Sequence, residues 1–363
     1  MIRLNPQPEL RISEGDIMCL NLFVNDVGID LGTANTLIYF KNKGIIFNEP
    51  SVIAVDDNTK TIIATGKAAK EMIGRAPDYI KVVRPLQDGV ISDFGMTQAM
   101  LKDFLRKAIP SKSVFTKTRI VVGVPSGVTE VEKRAVQEVI RQMGARDIFI
   151  MEEPMAAAIG SGLQVDHPRG CMVADIGGGT SDIAIISLGG IVTSTSLRMA
   201  GDKMDEAIVQ YMRKNYGLLI GDKTAEDTKI KIGCVSFDEF SEDHNLSTEV
   251  RGRDMVTGLP KTIVITSLDI MKALEEPINA IIDGIRTTLE KAPPEISADI
   301  MDSGMVLTGG GALLRGLEKL IAQETGMRVY IGDKPLEAVA LGTGMSLTHI
   351  ENIQKYINNR KKF

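Results

Sequence analysis

Short apolar runs alternate along this chain with longer segments in which apolar residues recur every three or four positions. The run at 120–125 is a predicted strand, and Thr129 with Glu132 three residues later predicts a capping box that opens a helix. The helix ends at Gly144, before a second predicted strand at 147–151. Its predicted apolar face consists of Val131, Ala135, Val136, Val139, Ile140 and Met143. Strands that alternate with amphipathic helices are typical of an α/β fold.

Two other segments share one design, in which a β-run delivers an aspartate to a Gly-rich turn and a second β-run follows. The first extends from Asp30 to Thr36 and the second from Asp175 to Asp182. Each is predicted to be a strand–turn–strand hairpin. Neither turn opens a helix as a Rossmann turn does, and the P-loop pattern Gly-x-x-x-x-Gly-Lys-Ser/Thr does not occur in the chain.

The residue types in these turns suit a phosphate group and a hydrated cation. Glycines let backbone N–H groups approach phosphate oxygens, Thr33 and Thr180 add hydroxyl donors, and the aspartates can hold a hydrated divalent ion. Considered alone, either segment would indicate only an ordinary Gly-rich hairpin. Two of them at corresponding places indicate a duplicated fold with a ligand between its halves.

A hinge between the two halves is predicted after the strand at 147–151. Glu153 and Pro154 end that strand and introduce a helix at 155–160 that is rich in alanine and glycine. Side chains this small allow another backbone to approach closely. We therefore predict the hinge between the two halves near this helix.

A third Gly-rich turn, Gly309–Ala312, follows a predicted strand at 305–308. It is predicted to open a helix with Leu313, Leu314, Leu317, Leu320 and Ile321 on its apolar side. The free N–H groups of such a turn can bind a phosphate or a ribose. A tight strand-to-helix turn without a ligand is the alternative.

Bulk properties limit the protein class. The 363 residues are 44% hydrophobic, which is enough for a large core and favours two domains. Charges of both signs are interspersed to a net −5, which argues against general binding of nucleic acid. Three cysteines, an odd number with no paired spacing, indicate a reducing cytoplasm, and three histidines argue against a histidine metal site. The apolar run at 17–24 is too short to span a bilayer, and we predict no signal peptide.

Four motifs occur in the order found in the superfamily of actins, heat-shock chaperones and sugar kinases, which this chain resembles. They are Asp30–Thr36, Glu153–Gly160, Asp175–Asp182 and Thr308–Ala312. Finer similarity points to bacterial actins of the MreB type, from about residue 27 to residue 349. The segments that carry it are 28–36, 72–75, 200–208, 257–260 and 286–295.

This resemblance implies an α/β actin-like fold of two duplicated domains, each with an inserted subdomain, around a nucleotide cleft. Domain I would comprise 26–158 and 328–349, with subdomain IB inserted at about 46–80. Domain II would comprise 159–327, with subdomain IIB inserted at about 195–259. An N-terminal extension (1–25) and a basic C-terminal tail (350–363) would lie outside the two domains.

The resemblance also implies the residues of the site. Asp30, through water, and Asp175 would hold Mg²⁺. Hydrolysis would depend on Glu153, which orients the attacking water, and on Asp175, Thr180 and Asp182. The phosphates would be held by Gly32, Thr33, Ala34, Asn35, Gly177, Gly178, Gly179 and Thr180. The ribose and adenine would be held by Asp202, Glu226, Lys229, Gly309, Gly310, Gly311 and Ala312.

Two observations qualify this assignment. The family pattern Thr-Thr-Glu is Thr180-Ser181-Asp182 here, so the last carboxylate is one methylene shorter. A displacement of about 1 Å in a positioned group can cost about a hundredfold in rate, so the substitution bears on hydrolysis more than on binding. Lys70 lies where related chaperone ATPases carry a catalytic lysine, and we expect it to be a solvated surface lysine.

The implied function is that of a cytoskeletal filament protein that binds and slowly hydrolyses ATP with Mg²⁺. Head-to-tail self-assembly, co-assembly with paralogous filament proteins and action in cell shape or movement would follow. The protein would be cytoplasmic and peripheral at the inner face of the membrane, with Val114 and Phe115 between two lysines as an apolar tip for anionic lipid. The alternatives are a filament scaffold with negligible hydrolysis, a small-molecule kinase, and a chaperone ATPase, for which no peptide-binding domain is evident.

Overall fold

The computed structural model describes residues 25–109, 118–236 and 246–349. The predicted membrane tip at Val114 and Phe115, most of the N-terminal extension and the C-terminal tail lie outside the described residues. None of the helices within these ranges is both long and apolar enough to cross a membrane.

The first half of the chain builds one five-stranded sheet, a small three-stranded sheet and a short hairpin. Its elements are β1 (Asn25–Leu31), β2 (Asn35–Phe40), β3 (Gly44–Pro50), β4 (Ile53–Asp56), β5 (Ile62–Thr65), α1 (Lys67–Lys70), β6 (Ile80–Val83), β7 (Leu86–Gln87), β8 (Val90–Ile91), α2 (Phe94–Ala108), β9 (Thr118–Val124), α3 (Glu130–Arg141), β10 (Asp147–Glu152) and α4 (Glu153–Gly160). The large sheet has the order β10-β9-β1-β2-β3, and the small sheet has the order β5-β4-β6.

The second half repeats the large sheet. Its elements are β11 (Cys171–Ile176), β12 (Ser181–Ser187), β13 (Gly190–Leu197), α5 (Gly201–Tyr216), β14 (Leu218–Leu219), α6 (Asp222–Ile232), β15 (Ser247–Asp254), β16 (Pro260–Thr266), α7 (Ser267–Glu290), α8 (Pro294–Ser303), β17 (Met305–Thr308), a 3₁₀ helix (Gly310–Leu313), α9 (Leu317–Thr325), β18 (Val329–Ile331), α10 (Ala338–Ser346) and a 3₁₀ turn (Leu347–His349). The large sheet has the order β13-β12-β11-β17-β18, and β14, β15 and β16 form a separate sheet.

The two large sheets have the same topology, which confirms the predicted duplication. In the first, β1 pairs antiparallel with β2 and parallel with β9. In the second, β11 pairs antiparallel with β12 and parallel with β17. Asp30 and Asp175 lie near the ends of the equivalent strands β1 and β11, so each sheet presents its aspartate and Gly-rich turn at the same place.

Helices α4 and α10 pack together between the two sheets. Buried residues of β9, β11 and β12 form one cluster with those of α4 and α10. The two helices are in backbone contact: a Cβ added to Gly342 would strike the Ala156 carbonyl, and one added to Gly160 would strike the Ala338 carbonyl. The predicted close approach of a backbone to the small-residue helix is therefore confirmed.

The structure confirms the predicted capping box and corrects two other local predictions. The capping box at Thr129 is present, with its side chain and that of Glu132 accepting each other's backbone N–H groups. Val131, predicted on the apolar face, is 77% exposed because it lies in the first turn of α3 and on its outer side. The turn at Gly309 opens a 3₁₀ helix rather than an α-helix, and Leu313 in it is exposed.

Candidate functional site

A cavity of about 570 Å³ lies between the two large sheets, within the range typical of small-molecule sites. Both predicted hairpin turns line it. The residues that they contribute are Gly32, Thr33, Ala34, Asn35, Gly177, Gly178, Gly179 and Thr180. The structure therefore brings together two segments that the sequence places far apart.

The two turns are in direct contact. A Cβ added to Gly178 would lie 2.7 Å from the Ala34 Cβ, and one added to Gly179 would lie 2.5 Å from the Thr33 Oγ1. No side chain fits at these two glycines, so the backbone N–H groups of both turns can face one ligand. The backbone N–H of Gly89 donates to the Thr33 Oγ1 at 3.0 Å, which leaves the hydroxyl proton for another acceptor. The loop at Gly89 had no sequence signal for a place in this site.

Three carboxylates line the cavity beside the turns, namely Asp30, Glu153 and Asp175. Burial, and then the charge of Asp175, raises the pKa of Asp30 to about 8. Burial raises the pKa of Asp175 to about 7, although the Thr308 hydroxyl, which donates to its Oδ1 at 2.8 Å, has a lowering effect. Burial, and then the charge of Asp182, raises the pKa of Glu153 well above its usual range. A divalent cation in the cavity would reverse these shifts, because it favours the charged carboxylates.

Asp182 and Ala312 are not brought to the cavity wall, although Thr180 is. Asp182 is fully buried, and its Oδ1 accepts the backbone N–H of Ser126 at 2.8 Å. Burial raises its pKa. Ala312 is also fully buried, in the 3₁₀ helix. The charge of Asp182 acts on Glu153, and the predicted contribution of Asp182 to hydrolysis stays a prediction.

Six of the nucleoside-binding residues implied by the resemblance also line the cavity. They are Asp202, Glu226, Lys229, Gly309, Gly310 and Gly311. The Lys229 ammonium is fixed by the Asp205 carboxylate at 2.8 Å and by the Gly201 carbonyl at 2.7 Å. Asp205 was not predicted. It follows Asp202 by nearly one helical turn on α5, and burial raises its pKa to about 6.

An apolar rim adjoins the third Gly-rich turn. Gly309 has a φ of +78°, and side chains added at Gly309 or Gly311 would strike Ile176, so this turn packs tightly against the end of β11. Ile230, Leu313 and Leu336 are exposed and line the cavity there. Their side chains form an apolar surface at the cavity.

Lys70 is not the solvated lysine that we predicted. Its ammonium lies 2.8 Å from the Glu226 Oε1, and its side chain is 27% exposed. A second cation, Arg84, lies 3.1 Å from the Asp202 Oδ1. The contact between Lys70 and Glu226 joins positions 156 residues apart, and no local sequence signal reveals such a pair.

Comparison with known proteins agrees with this architecture. A protein-family model described as MreB/Mbl protein matches residues 24–355. The chain is 50% identical over 334 residues to the cell shape-determining protein Mbl of Bacillus cereus, covering 92% of this chain and 99% of the relative. It is 47% identical over 334 residues to the cell shape-determining protein MreB of Escherichia coli, covering 91% and 95%.

Solved structures show the same fold. The crystal structure of MreB5 of Spiroplasma citri bound to AMPPNP superposes with a TM-score of 0.86 at 38% identity, covering 91% of this chain and 98% of that one. A MamK double helical filament structure superposes with a TM-score of 0.76 at 22% identity, covering 90% and 99%, which supports the fold alone. The predicted actin-like fold and the resemblance to MreB-type proteins are confirmed, and the chain belongs to the MreB/Mbl family.

Proposed function

We propose that this bacterial actin binds ATP with Mg²⁺ in the cavity between its two sheets, hydrolyses it slowly and couples hydrolysis to filament assembly in the control of cell shape or movement. The observation that carries the proposal is the contact between two Gly-rich hairpin turns beside the carboxylates of Asp30, Glu153 and Asp175. Related MreB5 structures were solved with AMPPNP and with ADP, and the relatives from Bacillus cereus and Escherichia coli are named for cell shape.

The hairpin turns would hold the β- and γ-phosphates. Residues of both turns line the cavity, so backbone N–H groups from both halves would reach the phosphates, and the hydroxyls of Thr33 and Thr180 would add donors. Lys229 and Glu226 would hold the ribose and adenine, with Asp202 as a further ribose contact. The apolar rim of Ile230, Leu313 and Leu336 suits the face of a purine base.

The carboxylates fit a hydrated Mg²⁺. In the parts of the chain that the structure describes, no three His, Cys, Asp or Glu side chains form a direct metal site. Mg²⁺ commonly keeps several waters and binds through one or two carboxylates together with substrate phosphates. Asp30, through water, and Asp175 would supply those carboxylates. The ion would neutralise charge on the phosphates and favour the ionised form of both aspartates.

Glu153 is the residue that would orient the attacking water. It lies at the junction of β10 and α4, it is buried, and it lines the cavity near Asp30 and Asp175. Its carboxylate would accept a hydrogen bond from the water that attacks the γ-phosphorus, and the bond from that phosphorus to the bridging oxygen of ADP would break. A scaffold that binds nucleotide with negligible turnover is the second candidate. The placement of Asp182 behind the cavity wall favours it.

Phosphate release from Mg²⁺-ATP, measured over a range of protein concentrations, tests this function. We expect release to rise above a threshold concentration in the wild type and to be lost in Glu153→Ala, because the variant cannot orient the water. ADP binding should persist in the variant. Glu130→Ala removes an exposed carboxylate from the first turn of α3 and serves as the control.

Three outcomes separate the candidates. Release that is linear in protein and equal in Glu153→Ala would remove Glu153 from the mechanism and uncouple turnover from assembly. Nucleotide binding without release would favour the scaffold. ADP release that depends on an added sugar would refute the cytoskeletal assignment in favour of a kinase.

The proposal extends to location and partners. We place the protein in the cytoplasm, peripheral to the inner face of the membrane, where Val114 and Phe115 with the basic tail at 350–363 would contact anionic lipid. Self-assembly is proposed, with paralogous filament proteins as candidate co-assembly partners. The hairpin β15–β16 carries the strongly exposed Val256, Leu259 and Val264, which suits a contact with a second copy.

A further inference from the structure

Two ion pairs join the two halves of the molecule beside the cavity. The Lys70 ammonium is 2.8 Å from the Glu226 Oε1, and the Arg84 Nη1 is 3.1 Å from the Asp202 Oδ1. Both cations belong to the part of the first half that carries the small β5-β4-β6 sheet. Both carboxylates belong to helices of the second half, α6 and α5. Each pair is therefore a link that must break if the halves separate.

The backbone holds each partner in place on its own side. The helix α1 begins after Gly66, and its first N–H, that of Lys67, donates to the Glu49 Oε2 at 2.6 Å. Arg84 directly follows β6, which is paired with β4. Asp202 lies in the first turn of α5, where the positive end of the helix dipole favours a carboxylate. Whether these ion pairs form therefore depends on the relative position of the two anchored segments.

Both carboxylates line the cavity, so a ligand inside would lie directly beside the two links. Glu226 uses its Oε1 for Lys70, while its Oε2 is buried and has no hydrogen-bond partner within the protein. Burial tends to raise the pKa of Glu226, but the hydrogen bond and charge of Lys70 outweigh it, and the pKa is lowered. The Glu226 carboxylate is therefore ionised and is held by Lys70 of the other half.

We propose that Lys70–Glu226 and Arg84–Asp202 form a latch that sets the rates at which nucleotide enters and leaves the cavity. This inference rests on the proposed nucleotide binding. Each pair is roughly a quarter to a third exposed, so each strengthens closure only modestly. Loss of one pair should accelerate release about threefold and loss of both about tenfold, if the two contributions add.

The test measures exchange of unmodified, tritium-labelled ADP by rapid filtration, because a label on the ribose would disturb Glu226 itself. The variants are Lys70→Gln, Arg84→Gln and the double variant. Lys133→Gln is the matched control: its ammonium pairs with Glu130 at 3.1 Å within α3, its side chain is 20% exposed, and the pair does not link the halves. Lys70→Arg, which keeps the charge, should stay close to the wild type.

A latch predicts that binding and release both become faster in the double variant, while the dissociation constant changes less than about threefold, because the links open for entry and exit alike. A merely structural role would not accelerate binding. Added salt should speed release from the wild type and have little effect on the double variant, since it screens the same ion pairs.

Two results would overturn the latch. One is a double variant that releases ADP at the wild-type rate. The other is slower release with tighter binding, which would mean that Lys70 and Arg84 compete with the nucleotide for the two carboxylates. A wild-type protein that retains no ADP would instead overturn nucleotide binding, and the latch with it. Thermal unfolding of each variant separates these results from a folding defect.

Discussion

The contact between α4 and α10 makes a sharp prediction about stability. In an exposed helix, Gly→Ala stabilises the folded state by about 1 kcal/mol, because alanine has the higher helix propensity. At Gly342 in α10 the added Cβ would overlap the Ala156 carbonyl of α4, and this carbonyl belongs to a helix backbone that cannot rotate away. Overpacking of this kind costs about 1–3 kcal/mol, and contact with backbone places Gly342 at the upper end of that range.

We therefore expect Gly342→Ala to destabilise the protein by about 2 kcal/mol after the propensity gain is subtracted. The thermal midpoint should fall by about 4–8 °C for domains of this size. Gly95→Ala in α2 is the matched control, since the nearest atom to its added Cβ is the Asp93 Oδ1 at 3.6 Å. Its midpoint should stay level or rise. Unfolding followed by circular dichroism measures both.

The reasoning would be refuted if Gly342→Ala matched Gly95→Ala in stability. Such a result would mean that α4 and α10 can move apart without loss of packing between the sheets. Gly160→Ala offers an independent check, because its Cβ would strike the Ala338 carbonyl from the opposite side of the same contact.

Two further predictions concern pH and lipid. Asp30 and Asp175 have an ordinary pKa of 3.8, and the fold raises these pKa values to about 8 and about 7. Between the ordinary and the raised values the unfolded chain binds fewer protons than the folded protein. The free energy of unfolding should therefore fall as pH rises from about 5 to 8. Urea unfolding at several pH values should show this decrease in stability. The decrease should be smaller with Mg²⁺-ADP and in Asp30→Asn. Stability that rises with pH would contradict the prediction. Co-sedimentation with vesicles should require anionic lipid and fall in Phe115→Ser or on removal of residues 355–363. Equal sedimentation of all forms would exclude this contact.

Local sequence signals predicted the hairpins, the capping box and the small-residue helix. In each case the determinants lie within a few residues of one another, as with the Thr129 and Glu132 side chains or the glycines between two β-runs. The order of four such motifs then predicted the actin-like fold, because the superfamily has the same order. Domain boundaries and the roles of individual site residues stay predictions.

Contacts between residues that lie far apart in the sequence were not predicted. Lys70 and Arg84 have surroundings typical of surface cations, and only the fold brings them to Glu226 and Asp202. The sequence around Asp205 does not distinguish it from other helical carboxylates, and only the fold shows its contact with Lys229. The resemblance implied a role in hydrolysis for Asp182, and only the fold shows that Ser126 of the other half donates its backbone N–H to the Asp182 Oδ1.

The position of α10 along the chain has a consequence for synthesis on the ribosome. The strand β1 and the helix α4 are made early, but both pack against residues 338–346. Chains grow at about 5–20 residues per second, so the inner face of the first sheet would stay uncovered for about 10–40 s after α4 has been made. The second sheet is also delayed, since Met172 in β11 pairs with Met305 in β17. Nascent chains of this protein would therefore expose apolar surface of the first sheet while about half of the chain is being synthesised.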